Sequence, residues 1–345
     1  MGAYEFWSSF LHSQLFEHPK LPDTTCAGQT IIVTGANTGL GKEAARHFAA
    51  LGARKLILAV RNIEAGEEAK RDIEATTQCE SDVIEVWELD LCRYESIDEF
   101  VKQASQLNRV DVLLSNAGMA SLQWNTFSAR WDMKSRERII GINVISTFYL
   151  AISMIPKLKT TASECGTTPR LTMVVSDAHL IAKFTELKEM MIFETFDDKE
   201  RATPAVMMDR YPTSKLLEVL IVRQIAPMLE GSDVVMNMVN PGFCKSDLAR
   251  EKHIFMTILS YLFARTTETG AAIMVTAAMS RNESIGKYFS DGRMNDEALS
   301  KWVRSMDGKQ AGIRVWNELK AILEDIQRGV TSSVCPAYVD WKKTK

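Results

Sequence analysis

The chain has 345 residues, 46% apolar and 25% charged, a balance that excludes disordered and fibrous classes. At roughly 150 residues per domain the length suggests about two domains, although α/β folds often exceed ~200 residues as one unit. With 41 basic and 44 acidic side chains the net charge is -3. Both signs are scattered, which excludes the basic stripe of a nucleic-acid binder and an acidic solvating tail.

The six cysteines (Cys26, Cys79, Cys92, Cys165, Cys244, Cys335) lie far apart without a CxxC pair, so neither a zinc ribbon nor a disulfide framework is expected. The five histidines show no HExxH or other metal spacing. No basic segment followed by an apolar core opens the chain, so no secretory signal is read. The densest apolar stretch, Ile254–Ala264, is shorter than the ~20 residues of a bilayer span. These features together lead us to expect a reduced, cytoplasmic protein without a transmembrane span.

In chain order, residues 1–28 form an extension in which Phe6, Trp7, Phe10, Leu11, Leu15 and Phe16 recur near helical spacing. Its polar face lacks the Lys and Arg of a membrane-surface helix. Packing onto its own core or a partner chain is therefore favoured over peripheral membrane contact. From Gln29 onward, strand-length apolar runs alternate with helical periods. Strands are expected at Thr30–Thr34, Lys55–Val60, Val83–Leu89, Val110–Leu114, Leu171–Val175 and Val234–Val239. Helices are expected at Leu40–Leu51, Ile63–Ala75, Ser96–Leu107, Trp131–Leu158 and Thr213–Leu229. This alternation predicts an α/β fold, a single doubly wound parallel sheet (Rossmann fold) with helices on both faces. Residues 29–345 are read as one domain, with an insertion at 177–210 and lid and C-terminal helices after 242.

Gly35, Asn37, Thr38, Gly39, Leu40 and Gly41 follow the first strand and open the first helix. Glycine permits a tight turn and close approach of a diphosphate, and the helix start offers it unpaired N–H groups. A P-loop is excluded, because Ala36 stands where its first glycine is needed and Glu43 where a magnesium-binding hydroxyl belongs. The string TGANTGLGKE resembles the short-chain dehydrogenase/reductase family, in particular its retinol-dehydrogenase-like members.

An NAD site wants an acidic residue at the end of the second strand. Here that place reads Val60-Arg61-Asn62. The forked donors of Arg61 suit a 2′-phosphate, so NADP(H) is the expected cofactor. Asp90-Leu91 resembles the family's adenine-binding pair. Asn116-Ala117-Gly118 resembles its NNAG motif, with Ser115 in place of the first Asn. Pro241-Gly242, with Ser246 four residues on, resembles the motif that covers the nicotinamide.

Tyr211 and Lys215 stand at i,i+4 on what reads as the start of a helix, which places phenol and ammonium on one face. A nearby cation favours phenolate and tunes the tyrosine for proton transfer. Tyr338–Lys342 repeats the YxxxK spacing without a strand–helix frame and is read as accidental. With Asn143 and Ser176, the pair matches the family tetrad. The resemblance implies that Tyr211 exchanges the proton with the carbonyl oxygen and that Ser176 orients that oxygen. It further implies that Lys215 lowers the tyrosine pKa and contacts ribose, while Asn143 supports a water relay to Lys215. His179 near Ser176 invites a Ser–His reading, but no Gly-x-Ser-x-Gly elbow exists. No metal is implied.

Asp177–Arg210 carries Phe184, Met190, Met191, Ile192, Phe193, Phe196, Met207 and Met208. Such residues make adaptable apolar surfaces, so a lid or pocket wall and packing into the core are both open, and Ile254–Ala264 is a second lid candidate. The expected partner is a bulky apolar ketone or alcohol, as in similar enzymes of fungal secondary metabolism. Dimerisation through the long helices is what the resemblance implies. Two rivals are a dinucleotide-binding regulatory protein and an extended-type epimerase or dehydratase. The first would lack the Tyr211/Lys215 pair, and the second prefers TGxxGxxG and a larger C-terminal domain.

Overall fold

Strand β1 (Thr30–Thr34) is buried at every position, as a continuous β-branched run in a sheet covered on both faces must be. Successive side chains point to opposite faces. Ile31 and Val33 pack with Ala44, Ala45 and Phe48 of helix α1 (Gly39–Ala50), while Ile32 joins the core on the other face. The computed structural model describes residues 10–14, 16–17, 19–130, 133–245 and 264–334.

The pattern repeats through β2 (Lys55–Val60), α2 (Ile63–Thr77), β3 (Ile84–Glu88), α3 (Tyr94–Ser105) and β4 (Val112–Ser115). A small antiparallel pair, β5 (Thr126–Phe127) with β6 (Arg136–Glu137), precedes the long helical region. Helix α4 (Thr147–Cys165), β7 (Arg170–Val174), α5 (Ile192–Phe196), α6 (Pro204–Ile225) and β8 (Val235–Asn240) follow. Helix α7 (Thr267–Ala278), β9 (Tyr288–Ser290), β10 (Arg293–Met294) and α8 (Met306–Ile326) complete the fold.

Among the described residues the main sheet has eight strands in the order β10-β9-β8-β7-β4-β1-β2-β3, parallel except for the β9–β10 pair. Strand order reverses between β1 and β4. In such sheets ligands bind in the crevice beyond the carboxyl ends of those strands.

Two helices differ from expectation. The predicted Trp131–Leu158 helix starts at Arg138, after β6, and runs to Cys165; Trp131 lies outside the described residues. The Glu137 carboxylate caps its start, accepting from the amides of Ile139 (3.1 Å) and Ile140 (2.9 Å). A π-helical stretch, Gly141–Ser146, then carries Asn143. Arg138–Cys165 is long and apolar enough to cross a membrane, a feature the sequence reading overlooked. In the structure 89% of its most apolar window is buried inside the protein, so burial against the protein's own core accounts for its composition.

Helix α6 begins at Pro204, not near Thr213, so Tyr211 sits inside the helix and not at its start. Thr203 caps it, accepting from the Val206 amide at 3.4 Å. Proline at the first position is pre-organised for this role. Helix α8 lies along α6. At Gly312 the two approach so closely that a Cβ would stand 2.7 Å from Gln224 Nε2. The 3-10 turn Val330–Ser333 lies on α4, where Lys159 Nζ donates to the Ser333 carbonyl at 2.7 Å. The protein's own C-terminal elements thus pack on both long helices.

Candidate active site

The glycine-rich loop is shaped by backbone demands. Gly35 and Gly39 have φ of +66° and +56°, where a side chain is strained. A Cβ at Gly41 would stand 2.4 Å from the Gly35 carbonyl oxygen and 2.5 Å from Asn116 Nδ2, whereas one at Gly39 would meet nothing within 4 Å. Thr38 makes no side-chain cap bond to α1, and the first turn holds no acidic residue. The helix start therefore presents amides beside open space, which fits a diphosphate. Asn37 and Leu40 are half-buried within this loop and Thr38 is exposed.

Asn116 ties the β4 loop to this cradle. Its Nδ2 donates to the Thr34 carbonyl at 2.8 Å, and the Asn116 and Ala117 amides both donate to Thr34 Oγ1 at 2.9 Å. At the end of β3 the Asp90 carboxylate accepts from the Cys92 amide (2.9 Å), and the Asp90 amide donates to Ser96 Oγ (3.0 Å). Leu91 beside it is buried. Arg61 is exposed and makes no hydrogen bond or ion pair among the described residues. Burial and the Asp90 charge push the Cys92 thiol up, while Arg138 and Arg61 pull it down. The fold therefore gathers Arg138 and Arg61 with Asp90 around Cys92; Arg138 was not legible there in the sequence.

The four tetrad positions meet at the end of β7. Tyr211 is half-buried, and Ser176 pulls the pKa of its phenol down. Ser176 Oγ accepts from the Ala178 amide at 3.1 Å. Lys215 Nζ lies 5.8 Å from the Tyr211 ring centroid and donates to the Val174 carbonyl at 3.0 Å. Asn143 is fully buried; its Nδ2 donates to the Met119 carbonyl (2.9 Å) and Ser214 Oγ (3.0 Å), and its Oδ1 accepts from the Met119 amide (2.9 Å). Gly118 fits between Asn143 and Lys215, where a Cβ would lie 3.3 Å from Asn143 Oδ1 and 3.9 Å from Lys215 Nζ.

Burial pushes the Tyr211 phenol above its ordinary value, and Lys215 pulls it back. Lys215 itself is raised: burial lowers it, but the charges of Glu218 and Tyr211 outweigh that. Glu218, buried one turn further along α6, escaped the sequence reading although i,i+3 spacing after Lys215 was the available signal. His179 Nδ1 lies 2.6 Å from the Ser176 carbonyl, not from its hydroxyl. Burial holds the imidazole down at about 4. This arrangement lacks the base-to-nucleophile hydrogen bond of a hydrolase.

Gly242 of the Pro241-Gly242 turn has φ +81°, and its amide donates to Asn240 Oδ1 at 3.0 Å. The N-terminal extension reaches this turn. Phe10 packs on Phe243 with ring centroids 6.0 Å apart, and Ser13 Oγ donates to Asp291 Oδ1 at 2.7 Å. Phe6, Trp7, Leu15, Ser246, residues 254–263 of the second lid candidate and the Tyr338–Lys342 copy lie outside the described residues.

The 177–210 excursion divides into two parts. Phe184, Ile192, Phe193, Phe196 and Met207 are buried in the core, whereas Ile181, Met190, Met191 and Met208 are exposed. Helix α8 anchors the buried part: Glu318 Oε2 accepts from the Ile192 amide (2.7 Å), and Arg314 Nη1 donates to the Leu187 carbonyl (2.7 Å). Met208 precedes Tyr211 by three residues on α6, hence on the same side of the helix.

Comparison with known proteins agrees with this geometry. A family model described as short chain dehydrogenase matches residues 29–168. The short chain dehydrogenase/reductase dmxR8 of Cryptosporiopsis sp. is 43% identical over 330 residues, covering 94% of this chain and 99% of that protein. The short-chain dehydrogenase anuD of Penicillium roqueforti is 37% identical, covering 95% and 86%. Among solved structures, an uncharacterised protein from Mycobacterium paratuberculosis superposes with a TM-score of 0.61 at 26% identity, covering 89% of this chain and 95% of its own. With a doubly wound sheet, a glycine cradle and relatives of this identity along nearly its whole length, the chain belongs to the short-chain dehydrogenase/reductase family of oxidoreductases.

Proposed function

We propose that the protein is an NADP(H)-dependent oxidoreductase that interconverts a carbonyl and a secondary alcohol on a bulky apolar small molecule of the kind found in fungal secondary metabolism. The observation that carries this reading is the convergence of Ser176, Tyr211, Lys215 and Asn143 at one end of the sheet, beside the crevice. The α1 amides and Gly35, Asn37, Thr38, Gly39, Leu40 and Gly41 would hold the diphosphate. Asp90 and Leu91 would hold the adenine, and Asn116, Ala117 and Gly118 the adjoining ribose. Pro241 and Gly242 would cover the nicotinamide. A bound nicotinamide supplies or takes up the hydride.

The remaining chemistry belongs to the chain. Tyr211 gives its phenolic proton to the carbonyl oxygen during reduction or takes it back during oxidation. Ser176 donates to the same oxygen and orients it. Lys215 favours the phenolate and reaches the ribose, and Asn143 holds the relay toward Lys215. Arg61, exposed at the end of β2 with Arg138 nearby, supports a 2′-phosphate and hence NADP(H). The exposed Met208 and Ile181, close in the chain to Tyr211 and Ser176, support an apolar substrate. Five unpaired cysteines among the described residues suit a reducing cytoplasm.

The test mixes the protein with NADPH or NADH and a panel of bulky apolar ketones, and follows cofactor oxidation and alcohol formation. Turnover with NADPH supports the reading. Tight NADPH binding without turnover on any ketone, or on the matching alcohols with NADP, favours the non-catalytic regulatory alternative.

A further inference from the structure

Glu218 is the one acidic side chain among the described residues in direct contact with Lys215. The Glu218 side chain is 3% exposed and that of Lys215 8%. Lys215 Nζ stands 2.9 Å from Glu218 Oε1, 3.0 Å from Oε2 and 3.0 Å from the Val174 carbonyl oxygen. An ammonium has three protons to donate; the two Glu218 oxygens can share one and Val174 takes another, which leaves one for the ribose. Burying such a pair often stabilises no better than apolar residues of the same size. The carboxylate offsets the buried Lys215 ammonium, and from that place it also sets the charge that the Tyr211 phenol meets.

We propose that Glu218 is a positioning residue that partly neutralises Lys215 at Tyr211 and so keeps Tyr211 as the neutral phenol that carbonyl reduction requires. The inference rests on the reading of Tyr211 as the proton donor. The sign follows from the charges. The Lys215 ammonium favours phenolate, and a carboxylate held against that ammonium opposes it. Burial pushes the Tyr211 phenol up, Lys215 pulls it down and Glu218 pushes it up again.

The other groups around Tyr211 do not cancel this effect. From the end of β7, the Ser176 hydroxyl stabilises phenolate and the Asp177 carboxyl disfavours it. Beyond Asp177 stand Arg265 and Asp291, of opposite sign. Asn143 carries no charge, and His179 is neutral above about 4. Burial pushes Glu218 itself up to about 7 against the pull of Lys215. It is therefore ionised across the higher range in which Tyr211 titrates. Alcohol oxidation needs the phenolate at the start, so the same carboxylate biases the site toward reduction.

The experiment is a phenolate absorbance titration of the full chain and of Tyr211→Phe, whose difference isolates Tyr211 from the other tyrosines. The same difference is taken in Glu218→Gln and Glu218→Asp backgrounds. Glu218→Gln is expected to lower the Tyr211 midpoint by about one pH unit. Glu218→Asp, which keeps the charge, is expected to stay with the parent. The alkaline limb of the reduction rate is expected to move with the midpoint. A folded Glu218→Gln protein with an unmoved midpoint overturns the proposal.

The double variant Lys215→Met/Glu218→Met covers the case in which Glu218→Gln does not fold. Its midpoint is expected close to the parent's, because both charges leave together. A rise of about one unit or more shows that Glu218 cancels little, and overturns the proposal. The titration needs no turnover, so inactivity on every carbonyl overturns the proposed activity and leaves this test readable.

Discussion

Between β1 and β4 the crevice is made of backbone: glycines at positive φ, uncapped amides at the start of α1, and an exposed Arg61 at the rim. Around α6 it is made of side chains, with Lys215, Glu218, His179 and Asn143 all buried and Tyr211 half-buried between them. The first region recognises by shape and a helix-end field, and tolerates no added Cβ at Gly41. The second sets protonation states through burial and close charges, and tolerates no uncompensated loss of one partner. The first should therefore fail by losing its ligand, and the second by losing chemistry or pH response with the ligand still bound.

The largest expected effect is in the second region. Tyr211→Phe keeps the ring and removes the proton, so turnover should fall by about 10²–10⁴-fold while NADPH affinity holds. Steady-state rates beside a binding titration check this. His179 comes next. Its imidazole falls from 6.5 to about 4 on burial. The unfolded chain takes up that proton first as pH drops, so the stabilisation is present above about 6.5 and lost between there and about 4, up to roughly 3 kcal/mol. Urea unfolding at neutral and acid pH should show a smaller acid loss in His179→Gln than in the parent.

In the first region, Gly41→Ala drives a Cβ into the Gly35 carbonyl oxygen. It should cost about 1–3 kcal/mol of stability and weaken NADPH binding, read by thermal unfolding and fluorescence titration. The smallest effect is at the rim: Arg61→Ala should weaken NADPH about tenfold and leave NADH unchanged. Equal losses for both cofactors would remove the 2′-phosphate reading and blur the contrast between the regions.

The two regions were also unequally legible in the sequence. Strands β1 and β2 have the expected bounds because a buried parallel strand needs an unbroken apolar run, and Thr30–Thr34 and Lys55–Val60 are such runs. The glycine loop was legible because each glycine answers a backbone demand. The start of α6 was not, although Thr203-Pro204 is a helix-start pair, because the Met- and Phe-rich excursion around it has no clean period. β9 and β10 are three and two residues long, too short for a periodic signal. Arg138 reaches the surroundings of Cys92 only through the fold, and spacing along the chain cannot show that meeting. Glu218 was within reach of the i,i+3 rule, but an acidic residue on a helix carries no signal of burial.

The central claim is that one region binds the cofactor and the other performs the proton chemistry. Its most direct test measures NADPH affinity and the rate of a single reductive turnover in the parent, Arg61→Ala and Tyr211→Phe. The account predicts that Arg61→Ala changes affinity and leaves the bound-state rate intact, while Tyr211→Phe abolishes the rate and leaves affinity intact. A Tyr211→Phe protein that reduces the ketone at the parent's rate would contradict it.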